Sequence, residues 1–136
     1  PSMPNPKILE LIRNHHVYVL PSNAYEGWGA VINEAMGEGC AVIASEATGA
    51  GKTLIRHGEN GLLFRPGDWK KLSELLCKLG KDESLRVHLA KSGHDTITKL
   101  WSPKVAAERF LAVSSALIAG QPPPYFNDGP LAPVLS

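Results

Sequence analysis

Residues 16–45 read HVYVLPSNAYEGWGAVINEAMGEGCAVIAS, and this stretch decides the fold. It opens with a run rich in β-branched and aromatic residues that ends at Pro21, which cannot donate to a strand ladder. This run predicts a buried strand over 16–20. From Gly29 the apolar residues recur at helical spacing and predict a helix of about three turns. Residues 41–44 are apolar again and predict a second buried strand.

The rest of the chain extends this strand–helix–strand pattern in both directions. Residues 6–14 have the periodicity of a helix, and residues 61–64 are a third strand candidate after a short helix and a turn. Helix N-caps follow at Asp68, Asp82 and Ser102, so three successive helices are expected to cover the sheet. Because strands separated by helices pair in parallel, the sequence predicts an α/β layer sandwich with a parallel sheet.

Length and charge restrict the class of protein. The 136 residues suffice for one domain, assigned to residues 1–119, and a proline-rich tail at 120–136 is expected to be extended or disordered. Fourteen Lys and Arg face 13 Asp and Glu, so the net charge of +1 creates no broad basic field for nucleic acid. No apolar run approaches the ~18 residues that a membrane helix needs.

Cysteine usage and the first residues indicate the compartment. Cys40 and Cys77 form no C-x-x-C pair, which fits a reducing cytosol, and both are expected to be small buried hydrophobes. The N-terminal residues carry neither the basic nor the apolar region of a secretion signal. The sequence therefore predicts a cytoplasmic protein.

The loop after the first strand is the richer of two candidate ligand sites. In open parallel sheets ligands bind beyond the carboxyl ends of the strands, where residues 21–28 and 45–53 lie. Gly27 and Gly29 allow a ligand to approach the backbone closely. The first N–H groups of the following helix have no intrahelical acceptor, and such groups suit a diphosphate.

Two glutamates flank this loop. Glu26 precedes the predicted helix and Glu34 lies in its second turn. A carboxylate accepts two O–H donors at once, so it matches a vicinal diol such as that of a ribose or a hexose. The alternative is that Glu26 caps the helix N-terminus and that Glu34 is a solvated surface residue.

A second glycine-rich segment, GAGKT at 49–53, has only the end of a phosphate-binding loop. The Walker pattern requires a glycine five positions before Gly51, where the chain has Glu46. We therefore predict a loop over 48–52 with a solvated lysine. The five histidines are not spaced as metal ligands, so no metal is expected.

The segment EGWGAVINEAMGEG, from Glu26 to Gly39, resembles the E-x(7)-E motif of retaining GT-B glycosyltransferases of the group 1 (family four) type. Further matches follow the family's spacing: VLPS at 19–22, AVIAS at 41–45, GENGLLF at 58–64 and PGD at 66–68. The register holds from about Lys7 to Phe110. So many spaced matches make the resemblance specific, whereas E-x(7)-E alone would be weak.

The resemblance implies a role for each matching residue. Glu26 would bind hydroxyls of the donor sugar in the catalytic centre, and Glu34 would hold the ribose hydroxyls. Five backbone N–H groups would contact the sugar, its linkage and the diphosphate: those of Gly27, Trp28, Gly29, Ala30 and Val31. Trp28 stands where the family often has phenylalanine. The implied reaction is sugar transfer with retention, by front-face attack without a protein nucleophile.

The resemblance also implies that the chain is part of a C-terminal, donor-binding, Rossmann-like domain that is incomplete at its N-terminus. An acceptor-binding N-terminal domain and a basic pair for the diphosphate would precede it, so the chain alone would be inactive. An unpaired sheet edge would favour self-association. The expected partner is a nucleotide diphosphate-sugar, with no cofactor. The alternative is a non-catalytic nucleotide-sugar-binding or structural module.

Overall fold

The computed structural model describes residues 5–23 and 25–133, and the chain divides into two compact units, Pro1–Thr96 and Ile97–Ser136. The elements of the first unit are α1 (Asn5–Arg13), β1 (Val17–Leu20), α2 (Val31–Gly37), β2 (Ala41–Ser45), α3 (Gly49–Leu54), β3 (Leu62–Phe64), α4 (Trp69–Lys81) and α5 (Glu83–Asp95). A π-helical segment, Thr96–Leu100, follows, and α6 (Pro103–Ile118) is the helix of the second unit. Within the described ranges no helix is long and apolar enough to cross a membrane.

The three strands form a parallel sheet with the order β1-β2-β3. β2 lies in the centre, with Val17 of β1 opposite Ala41 and Leu62 of β3 opposite Ile43. Parallel neighbours need crossover connections, which α2 and α3 provide. The predicted α/β fold, a Rossmann-like parallel sheet with flanking helices, is confirmed.

The core of the first unit is built around the central strand. Ala41 and Ile43 of β2 are fully buried in one apolar cluster. The other members come from β3, α4 and α5: Leu62, Phe64, Leu75, Leu79 and Leu89. α2 also packs on β2 and buries Ile32, Ala35 and Met36. Since each buried large apolar side chain stabilises the fold by roughly 1.5–3 kcal/mol, this packing fixes the helices on the sheet.

β1 is only partly buried along its length, so the prediction of a buried strand over 16–20 is wrong about burial. β1 lies at an edge of the sheet and, among the described residues, pairs with β2 alone. β2, which has a neighbour on each side, is buried at every residue, as predicted. The central position of β2 accounts for its complete burial, whereas β3, at the other edge of the sheet, buries Leu62 and Phe64 in the core cluster.

Two predictions about local structure near the site are also wrong. α2 has seven residues rather than about three turns, because Gly29 has φ 81° and the helix begins only after Ala30. Residues 49–52, predicted as part of a loop, lie in α3. Thr48 Oγ1 accepts a hydrogen bond from the Gly51 N–H at 3.1 Å and caps this helix.

The predicted caps of the later helices are confirmed. Asp68, Asp82 and Ser102 each accept a hydrogen bond from the N–H three residues on, at 2.9, 2.8 and 3.3 Å. α4 contacts β3 and α5 contacts β2, so both helices cover the sheet as expected. The capping residues therefore fix where these helices begin.

The two cysteines differ in environment. Cys40 is buried, and its thiol donates to the Ile12 carbonyl at 3.2 Å. Burial raises the pKa of the Cys40 thiol. Cys77 is exposed, so the prediction that both are buried is wrong for this residue. It lies two positions from Leu75 and Leu79, about 200° around α4 from each, and so faces away from the core.

In the second unit the proline-rich tail folds back along α6. The Arg109 guanidinium lies 4.4 Å from the centre of the Phe126 ring and donates to the carbonyls of Asp128 and Pro130. A cation over an aromatic face and two charge-assisted hydrogen bonds hold these residues together. Residues 134–136 of the predicted tail lie outside the described residues.

Candidate functional site

Two loops of the first unit lie at one edge of its sheet. Residues 21–30 connect β1 to α2, and residues 46–48 connect β2 to α3. Both loops follow the carboxyl ends of parallel strands, which is where open parallel sheets bind ligands. This edge is the candidate site.

The start of α3 holds the loop that precedes α2. The Gly49 N–H donates to the Gly27 carbonyl at 3.0 Å, and the Ala50 N–H donates to the Trp28 carbonyl at 2.8 Å. In a trans peptide the carbonyl and the N–H point in opposite directions, so the N–H that follows each of these carbonyls points away from α3. Among the described residues, the N–H groups of residues 27–31 have no hydrogen-bond acceptor, which leaves five backbone donors at this edge.

The two glycines of this loop have different structural roles. Gly29 has φ 81°, and a Cβ there would lie 3.0 Å from Leu20 Cδ2. A Cβ at Gly27 would meet nothing within 4 Å among the described residues. The turn into α2 therefore requires Gly29, whereas Gly27 leaves open space beside the backbone.

Glu26 is exposed in the middle of the loop. Ser22 Oγ donates to Glu26 Oε2 at 3.4 Å. The N-cap of α2 is Ala30, and no side chain caps this helix. The alternative interpretation of Glu26 as a helix cap is therefore wrong, and its exposed carboxylate can accept hydrogen bonds from a ligand.

Glu34 is partly buried on α2, which also argues against a fully solvated surface residue. The charges of both glutamates act on the phenol of Tyr18 in β1. Burial is the largest cause that raises the pKa of the Tyr18 phenol, and the charges of Glu34, Cys40 and Glu26 raise it further. Both glutamates therefore lie within electrostatic range of one phenol.

Sequence reasoning missed Tyr18 although a signal was present. Val17 and Val19 pack against the core cluster, so the alternation of a strand directs Tyr18 and Leu20 to the other face of the sheet. On that face Leu20 Cδ2 approaches Gly29. Period-two alternation in β1 thus identifies Tyr18 as a neighbour of the site.

α3 does not form a phosphate-binding loop. Its first N–H groups donate to the loop carbonyls and to Thr48 Oγ1, so they are not available to a ligand. A Cβ at Gly51 would lie 2.6 Å from Thr48 Oγ1 and 2.9 Å from the Ser45 carbonyl oxygen. The glycines therefore allow α3 to lie close to the end of β2, and Lys52 is exposed as expected.

An open groove borders Glu26. It is lined by Pro21, Ser22, Asn23, Tyr25, Glu26, Pro66, Gly67 and Trp69. The rings of Tyr25 and Trp69 are 96% and 60% exposed. These rings offer apolar faces beside a carboxylate, a combination that suits the C–H face and the hydroxyl groups of a sugar.

The candidate site consists of hydrogen-bond donors and hydrogen-bond acceptors. Five backbone N–H groups can bind an anion, and two carboxylates can accept hydroxyl protons. Among residues 5–23 and 25–133, no three His, Cys, Asp or Glu side chains come together as metal ligands. The sheet edge of this α/β fold therefore offers hydrogen-bonding groups whose chemistry suits a ligand with anionic and polyhydroxyl parts.

The chain belongs to the family described as glycosyl transferases group 1, which matches residues 1–96. The family resemblance drawn from the E-x(7)-E segment and its flanking motifs is thereby confirmed.

Among curated relatives, the chain is 33% identical over 100 residues to the capsular polysaccharide biosynthesis glycosyltransferase CapM of Staphylococcus aureus. It is 31% identical over 106 residues to the lipopolysaccharide core biosynthesis glycosyltransferase LpsE of Rhizobium meliloti. These matches cover 74% and 78% of the chain but only 26% of CapM and 29% of LpsE. The chain therefore spans less than a third of the length of these relatives.

Solved structures share the fold. The C-terminal domain of the glycosyl transferase group 1 family protein LpcC from Francisella tularensis superposes with a TM-score of 0.66 at 34% identity, covering 72% of this chain and 49% of that one. Anabaena HepE in complex with UDP gives 0.67 at 27% identity, with 78% and 29% covered. Sucrose-phosphate synthase from Thermosynechococcus elongatus gives 0.71 at 28% identity, with 89% and 30% covered. The chain is thus similar to C-terminal domains of GT-B glycosyltransferases.

Proposed function

We propose that this chain is the donor-binding part of a retaining glycosyltransferase that transfers a sugar from a nucleoside diphosphate-sugar to an acceptor. The observation that carries the proposal is the set of five backbone N–H groups of residues 27–31 that have no acceptor among the described residues, in a loop whose Gly27 and Trp28 carbonyls bond to α3. Family membership supports it, as does the similarity to HepE, which has been solved with UDP and with UDP-glucose.

Each group of the site matches one part of such a donor. The N–H groups of Ala30 and Val31 donate hydrogen bonds to the diphosphate. These hydrogen bonds, rather than the helix dipole, supply the attraction, because α2 has only seven residues and its dipole is short. Glu34 accepts the ribose hydroxyls, and Glu26 accepts hydroxyls of the transferred sugar. Three further N–H groups line the sugar and its linkage, those of Gly27, Trp28 and Gly29.

The reaction that this arrangement supports breaks the bond between the anomeric carbon and a diphosphate oxygen. Negative charge develops on the departing oxygen, where the backbone donors stabilise it. The acceptor hydroxyl forms the new bond on the same face and passes its proton to the departing diphosphate, so the configuration is retained. This front-face route needs no protein nucleophile, and Glu26 orients the sugar during the transfer.

The acceptor would bind to the part of the relatives that this chain does not match, since the chain covers 26% of CapM and 29% of LpsE. We therefore expect no sugar transfer by the 136 residues alone. We also propose that the enzyme acts in the cytoplasm. Steady transfer by the purified chain with common donors and acceptors would contradict the need for a second domain.

Binding of the donor by the chain is the direct test. We expect UDP and UDP-glucose to shift the backbone amide NMR signals of residues 27–31, because these N–H groups change from water to phosphate oxygen as acceptor. Glucose 6-phosphate, which has no diphosphate or ribose, serves as the control and should shift them far less. If a panel of uridine and guanosine diphosphate-sugars leaves these signals unchanged, the site assignment is wrong.

We also propose that the chain self-associates through the exposed edge of β1. Its backbone is paired on one side only among the described residues, and unpaired strand edges readily add another strand. Light scattering should show a mass above that of the 14.6 kDa monomer at a chain concentration of ~100 µM. A monomeric mass at that concentration would contradict the proposal.

A further inference from the structure

Trp28 makes contacts that a phenylalanine at this position could not make. Its indole Nε1–H donates to Asn33 Oδ1 on α2 at 3.0 Å. A phenyl ring has no donor, so this link between the loop and α2 depends on the indole.

The same indole also packs against the start of α3. A Cβ at Gly49 would lie 3.0 Å from Trp28 Cε3, so the ring packs closely against the backbone of this glycine. The Trp28 carbonyl meanwhile accepts from the Ala50 N–H at 2.8 Å. One residue is therefore fixed to α3 by its ring and its carbonyl, and to α2 by its ring nitrogen.

α3 is itself anchored to the central strand. Thr48 Oγ1 donates to the Ser45 carbonyl at 3.0 Å and accepts from the Gly51 N–H. Both Ser45 and Thr48 are completely buried. The indole thus packs on a helix start that buried hydrogen bonds anchor to the central strand.

The hydrogen bond between Trp28 and Asn33 encloses part of the segment that carries the backbone donors. Asn33 is the third residue of α2, next to Glu34, and the N–H groups of residues 29–31 lie between Trp28 and this turn. A hydrogen bond that spans the segment fixes the spacing of its donors. Without the bond, the donors would have to be ordered when the diphosphate binds, at the expense of affinity.

We propose that Trp28 and Asn33 are a positioning pair that holds the loop and the start of α2 in the geometry that binds the donor diphosphate. The inference rests on the proposed donor-binding function and adds a side-chain role to the backbone contact of Trp28.

A double-mutant cycle tests the pair, with UDP as the probe and the dissociation constant of the folded chain as the readout. Trp28→Phe retains the ring but loses the donor, and Asn33→Ala loses the acceptor. Each variant should weaken UDP binding about fivefold, and the double variant should be no weaker than either single one, because all three lack the same bond. Trp101→Phe is the matched control, since the Trp101 Nε1–H has no partner among the described residues; it should leave UDP affinity unchanged.

The outcomes separate this inference from the function on which it rests. If the unmodified chain binds neither UDP nor GDP, the proposed function is wrong and the pair has no such role; if it binds GDP instead of UDP, the same cycle is measured with GDP. If the unmodified chain and all variants bind UDP equally well, or if the two losses simply add in the double variant, the positioning pair is wrong while donor binding stands. A change in melting temperature alone, with equal affinities, would indicate a purely structural hydrogen bond and would also overturn the inference.

Discussion

Replacing Gly29 by alanine is expected to lower the free energy of unfolding by about 1–2 kcal/mol, because φ at this residue is 81° and an L-residue pays that much in the left-handed region. The new Cβ would also lie 3.0 Å from Leu20 Cδ2 and 3.5 Å from Thr48 Cβ. Leu20 is partly buried and must shift its side-chain end to make room. Chemical denaturation followed by circular dichroism measures the difference.

Gly27→Ala is the matched control in the same loop. A Cβ at Gly27 would meet nothing within 4 Å among the described residues, so the unfolding free energy should change by less than about 0.5 kcal/mol. Equal destabilisation by both substitutions would contradict the different structural roles of the two glycines. Equal stability of both variants and the unmodified chain would show that the turn before α2 does not need a glycine at position 29.

The backbone of this turn explains why the sequence predicts a candidate site here but does not predict the tertiary contacts around it. Glycines before a predicted helix indicated the loop, and spacing indicated Glu26 and Glu34, because both signals are local. The hydrogen bonds from Gly49 and Ala50 to the loop carbonyls join residues more than 20 positions apart. No local pattern encodes such a contact, so the sequence predicts a loop over 48–52 where the structure has the start of α3.

The burial of the strands also depends on contacts between residues that are distant in the sequence. β1 and β2 have similar apolar sequences, yet β2 is fully buried and β1 is not, since only β2 has a strand on each side. Cys77 faces solvent because of its angular position on α4, which the pattern of Leu75 and Leu79 already contained. Strand order depends on tertiary pairing, whereas helix faces can be obtained from the sequence by counting residues.

The two glutamates are expected to affect different parts of donor binding. Glu34→Gln should weaken the affinity for UDP itself by about tenfold or more, because a hydrogen bond to a charged group contributes ~1.5–3 kcal/mol and the ribose belongs to UDP. Glu34 is partly buried beside Tyr18, which favours a defined geometry over a solvated one. Titration of the chain with UDP, by calorimetry or by NMR, measures this loss.

Glu26→Gln should leave the affinity for UDP unchanged and remove the additional affinity that UDP-glucose has over UDP, because the partners of Glu26 are on the sugar. Its carboxylate is exposed, contacts Ser22 at 3.4 Å and does not cap α2, so the variant should also keep the melting temperature. The comparison therefore needs both ligands and a thermal melt for each variant. If the two substitutions behave alike and change neither affinity, both residues are surface groups and the site assignment is wrong, even though the fold and the family stand.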